Sequence, residues 1–124
     1  MNKNIKKILL IDDNVSALDI LKIILRGEGY TVETAVSGEM GLEIVGDKNP
    51  DLIILDIGLP GIDGFDVCRQ LKAHEDTGHI MVILVTGRDN EDDINKAREY
   101  GADGFIVKPY EIQDLLNEMY KLIG

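Results

Sequence analysis

Five apolar runs punctuate the chain, at Lys7–Ile11, Thr31–Ala35, Asp51–Asp56, Ile80–Thr86 and Gly104–Val107, and each predicts a β-strand. The third and fourth, LIILDI and IMVILVT, are apolar at almost every position, the pattern of strands covered on both faces. The second, TVETA, alternates and predicts an edge strand. Helical segments with readable ends lie between them. Asn14 is placed to cap a first helix that runs to about Glu28 and is stopped by Gly29. Ser37 caps a second, which ends before Asn49-Pro50. Asp63 caps a third, with the acid Asp66 in its first turn, where it suits the helix dipole. Asp89 or Asn90 starts a fourth that Gly101 ends, and the last runs from about Glu111 to Leu122.

Strict alternation of strand and helix with short connections predicts parallel strands joined by right-handed crossovers. Five strands in so short a chain fit an open doubly wound sheet better than a barrel. Such sheets hold ligands at the carboxyl ends of their strands, beside the switch point. Those ends carry, in order, Asp12-Asp13, the loop 35–37, Asp56, Thr86 and Lys108.

The length of 124 residues suits one domain, residues 1–124. A net charge of −10 argues against a nucleic-acid surface and suits a cation site or a basic partner. Cys68 is the only cysteine, which excludes an internal disulfide and a cysteine zinc cluster; it reads as a small buried hydrophobe on a helix. No apolar run approaches the roughly 18 residues of a membrane span, and no signal peptide opens the chain, so a cytoplasmic location is expected.

Charge at the strand ends raises the chemical question. The stretch KILLIDDN carries a strand core straight into two aspartates, and two carboxylates in contact repel by roughly 4 kcal/mol at an intermediate dielectric. With Asp56 on the same rim, the three acids are tolerable only if some are protonated or a cation is bound. Hard oxygen ligands favour Mg2+, with Mn2+ also accommodated. The first strand is followed by Asp-Asp-Asn rather than a Gly-rich fingerprint, and no Gly-Lys-Ser/Thr motif occurs, so neither a dinucleotide nor a P-loop nucleotide is expected. A hydroxyl at Thr86 and an ammonium at Lys108 suit a phosphoryl group. Asp56, alone at a central strand end, is the candidate nucleophile, while Asp12 and Asp13 are suited to the metal.

Taken in order, IDDN, LDIGLPGIDG, LVTG and FIVKP resemble the receiver domain of two-component response regulators, over about Lys7 to Leu122. Each motif alone is weak, whereas four in sequence on the correct strand ends are specific. The resemblance implies a (βα)5 flavodoxin-like, doubly wound three-layer α/β sandwich with strand order 2-1-3-4-5. It implies that Asp56 is the phosphoacceptor, charged from a phosphohistidine of a sensor kinase or histidine phosphotransfer protein. Asp13 and Asp56 would ligate Mg2+ directly with the backbone carbonyl of Gly58, and Asp12 through water. Thr86 and Lys108 would contact the phosphoryl oxygens, and the Lys108-Pro109 peptide would be cis. Thr86 and Phe105 would be the switch pair, relaying the change to the face formed by the fourth helix, fifth strand and fifth helix. The expected protein is a signalling switch, not an enzyme beyond promoting its own phosphorylation and dephosphorylation. It is expected to be a monomer or a weak phosphorylation-dependent dimer, touching neither membrane nor nucleic acid itself.

Some positions depart from the family's commonest pattern. Leu59 and Ile62 replace frequent methionines, a mild change. Gly58 and Arg88 occupy the variable positions that tune dephosphorylation in the family; Gly58 has no side chain to orient water and Arg88 has the reach to touch the phosphoryl group, so slow self-dephosphorylation is expected. Gly87 lacks a side chain that often gates the switch aromatic.

Taken singly, the same residues have plainer roles: Asp12-Asp13 as cap and first-turn acid, Thr86 as a strand end, Lys108 as a surface lysine, Phe105 as core, His74 and His79 as solvated. On the first helix, the helical repeat centres the buried arc on Ala17, Leu21, Ile24 and Leu25, with Ile20 at its margin and Ile23 outside. Ile20 and Ile23 are either scattered exposed apolar residues or a docking patch for the phosphodonor. Two rivals complete the reading. A haloacid-dehalogenase phosphatase needs an acid where Gly58 stands, and a cap domain. A receiver-like interaction module that works without phosphorylation usually lacks one of the acids or the lysine, all present here. The kinase, the signal, the output and the presence of a longer regulator are not encoded in these motifs.

Overall fold

The computed structural model describes residues 5–87 and 90–124. Five strands, β1 (Lys7–Ile11), β2 (Thr31–Ala35), β3 (Leu52–Asp56), β4 (Met81–Thr86) and β5 (Gly104–Val107), alternate with five helices: α1 (Val15–Gly27), α2 (Gly38–Lys48), α3 (Gly64–Ala73), α4 (Glu91–Glu99) and α5 (Ile112–Ile123). The sheet order is β2-β1-β3-β4-β5 and all pairs are parallel. The alternating strand β2 lies at an edge and the apolar β3 and β4 lie inside, as their patterns predict.

Two of the expected strand starts move inward by one residue. Asp51 Oδ2 accepts the backbone N–H of Lys7 at 2.8 Å, and β3 opens one residue later, at Leu52. The N–H of Ile80 donates to the carbonyl of Thr77 at 3.0 Å, a turn bond, so β4 opens at Met81.

The strands' two-residue period sorts the core into two layers. Leu9, Ile11, Ile53, Leu55, Val82 and Leu84 face α2, α3 and α4. Ile8, Leu10, Leu52, Ile54, Ile83 and Val85 face α1 and α5. Both faces of the central strands are therefore covered, which explains their unbroken apolar character.

The caps fall where their residue types place them. Asn14, Ser37, Asp63 and Asn90 accept the N–H groups of Ala17, Met40, Asp66 and Asp93 at 3.1, 3.0, 2.9 and 2.8 Å. Asn90 is thus the cap of α4; Arg88 and Asp89 lie outside the described residues. Helix α1 buries Leu25 of its projected arc and adds Leu18, while Ala17, Leu21 and Ile24 are half-buried. Ala17, Leu18, Leu21 and Ile24 all line a cleft between α1 and the start of α5. Ile20 and Ile23 are both exposed, at 60% and 69%, so Ile20 is further out than its margin position predicts. Cys68 is fully buried, and His74 and His79 are exposed.

One polar cluster at the amino-terminal end of the sheet has no counterpart in the motif reading. Lys72 Nζ donates to the carbonyls of Gly78 and Ile80 at 3.3 and 2.8 Å and to Asp103 Oδ2 at 2.8 Å. Asp103 Oδ2 also accepts the N–H of Val82 at 2.9 Å. This clip joins the end of α3 to the starts of β4 and β5, at the opposite pole from the acidic rim.

Candidate functional site

At the carboxyl edge, β1 ends in Ile11 and the chain turns through Asp12 and Asp13 before Asn14 caps α1. The N–H of Asp12 still pairs with the carbonyl of Ala35 at 3.1 Å, so the backbone keeps its place beside the sheet as the side chain leaves it. Asp12 Oδ1 accepts the N–H of Asn14 at 3.0 Å, orienting that carboxylate. On the neighbouring strand Asp56 closes β3, opposite Val85. The N–H of Ile57 pairs with the carbonyl of Val85 at 2.9 Å, extending the ladder one step past the acid. Asp56 Oδ1 accepts the N–H of Gly58 at 3.0 Å, which leaves Oδ2 turned to Lys108 Nζ at 3.2 Å. Gly64, at the start of α3, stands against the same strand end. A Cβ there would lie 2.5 Å from the carbonyl oxygen of Asp56 and 2.7 Å from Ile57 Cα, so only glycine lets α3 begin this close to the acid.

Asp12, Asp13 and Asp56 each present a carboxylate oxygen within 4.8 Å of the other two. Asp12 and Asp56 are half-buried and Asp13 is exposed. Lys108 Nζ lies 3.2 Å from Asp56 and 3.8 Å from Asp12. Burial raises the Asp12 carboxyl above its ordinary range and the charge on Asp56 adds to it, while the Asn14 N–H and Lys108 pull it down. Burial works against the Lys108 ammonium, but Asp56 and Asp12 outweigh it and hold its pKa above the usual value. Three carboxylates facing one ammonium leave an excess of negative charge in a restricted space. The donor set is all oxygen, so the residues present fit a hard divalent cation such as Mg2+.

Thr86 ends β4 and is buried at the same rim, and its carbonyl accepts the N–H of Lys108 at 2.7 Å. The Lys108-Pro109 peptide is cis. Phe105 lies on β5, half-buried against the layer under α2, α3 and α4. Beside Gly87 the space is open, with nothing within 4 Å of where a Cβ would stand. The strand ends therefore bring Asp12, Asp13, Asp56, Gly58, Thr86 and Lys108 to one rim. Ile20 is set apart on α1, where it lines the outer wall of the α1–α5 cleft, and Ile23 lies on exposed helix surface. Arg88, singled out as a residue able to touch the phosphoryl group, is outside the described residues.

The motif reading passes over Tyr110. Its side chain lines the same cleft of about 330 Å3 as Asp12, Asp56 and Lys108. Burial raises its phenol above the ordinary value; Lys108 opposes this, while Asp12 and Asp56 reinforce it. The available signal was its position directly after Lys108-Pro109, where the chain must turn back across the site to enter α5.

Comparison with known proteins agrees with this geometry. The family model for the response regulator receiver domain matches residues 8–120. The transcriptional regulatory protein AfsQ1 of Streptomyces coelicolor is 42% identical over 104 residues, covering 84% of this chain and 45% of that protein. The DNA-binding response regulator MtrA of Mycolicibacterium paratuberculosis is 38% identical over 111 residues, covering 90% of this chain and 48% of that protein. The chain thus spans about half the length of these curated relatives. A CheY-like receiver domain crystal structure from Methanospirillum hungatei superimposes with a TM-score of 0.87 at 34% identity, covering 95% of this chain and 93% of that one. Chemotaxis protein CheY4 of Vibrio cholerae gives a TM-score of 0.91 at 25% identity, covering 96% and 99%. No helix among the described residues is long and apolar enough to cross a membrane. With its fold, its acidic rim and its sequence in agreement, the chain belongs to the response regulator receiver domains of two-component signalling.

Proposed function

We propose that this receiver domain is a phosphorylation-controlled switch in which Asp56 accepts a phosphoryl group from a phosphohistidine of a sensor kinase or phosphotransfer protein. The observation that carries the reading is the placement of Asp56: a central strand end, one oxygen fixed by the Gly58 N–H, the other 3.2 Å from Lys108, and two further acids within 4.8 Å. A carboxylate oxygen of Asp56 attacks phosphorus as the P–N bond to the donor imidazole breaks. The nitrogen leaves with the bonding pair and an acyl phosphate remains on Asp56.

The chain's own groups divide the work. Lys108 is already beside the attacking carboxylate and balances the charge that the phosphoryl oxygens bring. Thr86, at the end of the adjacent strand, supplies a hydroxyl for one of those oxygens. Asp12, Asp13 and Asp56, with the carbonyl of Gly58, would hold Mg2+, which supplies charge neutralisation for the transferred group. Before transfer Lys108 is paired to two carboxylates; afterwards it and Thr86 are drawn to the phosphoryl group. Thr86 and Phe105 lie on neighbouring strands, so a shift of the threonine is passed to the aromatic and on to the face built by α4, β5 and α5. That face then controls a partner or output domain. On this reading the protein acts in the cytoplasm and meets its kinase through the α1 side, where Ile20 and Ile23 are exposed.

Intact mass after incubation with acetyl phosphate tests this, with and without Mg2+, on the wild type and on Asp56→Asn. The expected result is a Mg2+-dependent gain of one phosphoryl group, absent in the variant. A wild type that binds Mg2+ and gains nothing would identify a module that works without phosphorylation.

A further inference from the structure

Between the acceptor strand and α3 runs the loop 57–63, which carries Gly58. Its near end is held by the Gly58 N–H bond to Asp56, and Leu59 is buried beside it. Its far end is held from a different element. Glu39, in the first turn of α2, accepts the N–H of Ile62 on Oε2 at 3.3 Å. Two glycines make that approach possible. At Gly38 a Cβ would stand 2.6 Å from Val67 Cγ2, 2.9 Å from Ile62 Cγ1 and 3.1 Å from the Ile62 carbonyl oxygen, so the start of α2 is pressed directly onto the loop. Gly61 has a φ of +75°, and a Cβ there would come within 2.5 Å of Glu39 Oε2. Gly38 thus lets the start of α2 pack on Val67 and Ile62, and Gly61 leaves room for the Glu39 carboxylate, which stays exposed at the surface.

We infer that Glu39 is a positioning residue for the phosphoacceptor loop, fixing the segment that presents the Gly58 carbonyl to the cation. The inference rests on the reading of Asp56 as phosphoacceptor and of Gly58 as a backbone ligand. Glu39 does not touch the acidic rim itself; it acts by holding the Ile62 end of a short loop whose other end is the site. A carboxylate is suited to the task because it accepts a backbone N–H with a charge-assisted bond, and the glutamine amide oxygen is able to accept the same bond without the charge.

The test compares Glu39→Ala, Glu39→Gln and the wild type. Three readouts are taken: Mg2+ affinity by calorimetry, the initial rate of phosphoryl uptake from acetyl phosphate, and hydrogen exchange of the Ile62 amide by NMR. Loss of one hydrogen bond to a charged group is worth up to about tenfold in the equilibrium it holds. Glu39→Ala is therefore expected to weaken Mg2+ binding by up to about tenfold, slow uptake in proportion and release the Ile62 amide to exchange. Glu39→Gln is expected to stay within about twofold of the wild type on all three. An alanine variant that binds Mg2+ as the wild type does would overturn the inference, as would a glutamine variant that loses as much as alanine. Should the wild type bind Mg2+ but take up no phosphoryl group, the proposed function fails, and Mg2+ affinity with Ile62 exchange still decides the role of Glu39.

Discussion

Replacing Asp12 with asparagine should make the metal-free domain more stable. The carboxylates of Asp12, Asp13 and Asp56 lie within 4.8 Å of one another. At that separation each pair repels by about 3.5 kcal/mol at an effective dielectric of about 20, so Asp12 meets about 7 kcal/mol from its two neighbours. Lys108 at 3.8 Å returns about 4.4 kcal/mol at the same dielectric, leaving about 2.5 kcal/mol unfavourable. Water reaches the exposed Asp13 and Lys108 and screens part of this, which brings the expected gain to about 1–2 kcal/mol. Asparagine retains the oxygen that accepts the Asn14 N–H, so the local cap is not the variable. For a domain of this size the gain corresponds to roughly 4–8 °C in Tm.

The pH dependence supplies an internal control. Burial and Asp56 raise the Asp12 carboxyl, so the native state holds this proton to a higher pH than the unfolded chain does. The group therefore costs nothing below the ordinary carboxylate value, and its cost grows as pH rises through the raised native value. Thermal melts followed by circular dichroism in EDTA should show Asp12→Asn above wild type at neutral pH. The difference should close as the pH is lowered into the ordinary carboxylate range. Added Mg2+ should stabilise the wild type more than the variant. A variant no more stable than wild type in EDTA, or a gain unchanged at acid pH, would refute the electrostatic account of the rim.

Two further expectations concern the rest of the chain. Lys72→Met removes charged hydrogen bonds to Gly78, Ile80 and Asp103 and should cost about 2–4 kcal/mol in urea unfolding; phosphoryl uptake per folded molecule should be unchanged, and a loss under about 0.5 kcal/mol would show the clip to be incidental. Cys68 is fully buried and its thiol is pushed up to about 11 by burial, with Lys72 opposing and Asp103 assisting. Native protein at mildly alkaline pH should therefore resist iodoacetamide and react only at the rate of unfolding, so labelling as fast as a free thiol would contradict the packing.

Much of this molecule was written locally. Five strands, their parallel order and three side-chain helix caps follow from apolar runs and from Asn14, Ser37 and Asp63, because a cap or a doubly covered strand is decided by residues a few positions apart; the pattern left the fourth cap between Asp89 and Asn90, and the bond to the Asp93 N–H assigns it to Asn90. The acidic rim was also legible, since parallel topology sends every strand's carboxyl end to one edge and places Asp12, Asp13, Asp56, Thr86 and Lys108 on it. Contacts that join distant segments at particular distances were not. No periodicity connects Lys72 to Asp103 or Glu39 to Ile62, and each pair meets only after helices have docked on the sheet. The burial of Leu18 beside Leu25, and the arrival of Tyr110 beside the acids, are set by how α1 and the start of α5 dock on the sheet. Hydrophobic pattern chooses which face of an element turns inward; the depth and angle at which it docks come from packing against partners many residues away, and that is what tertiary structure alone decided.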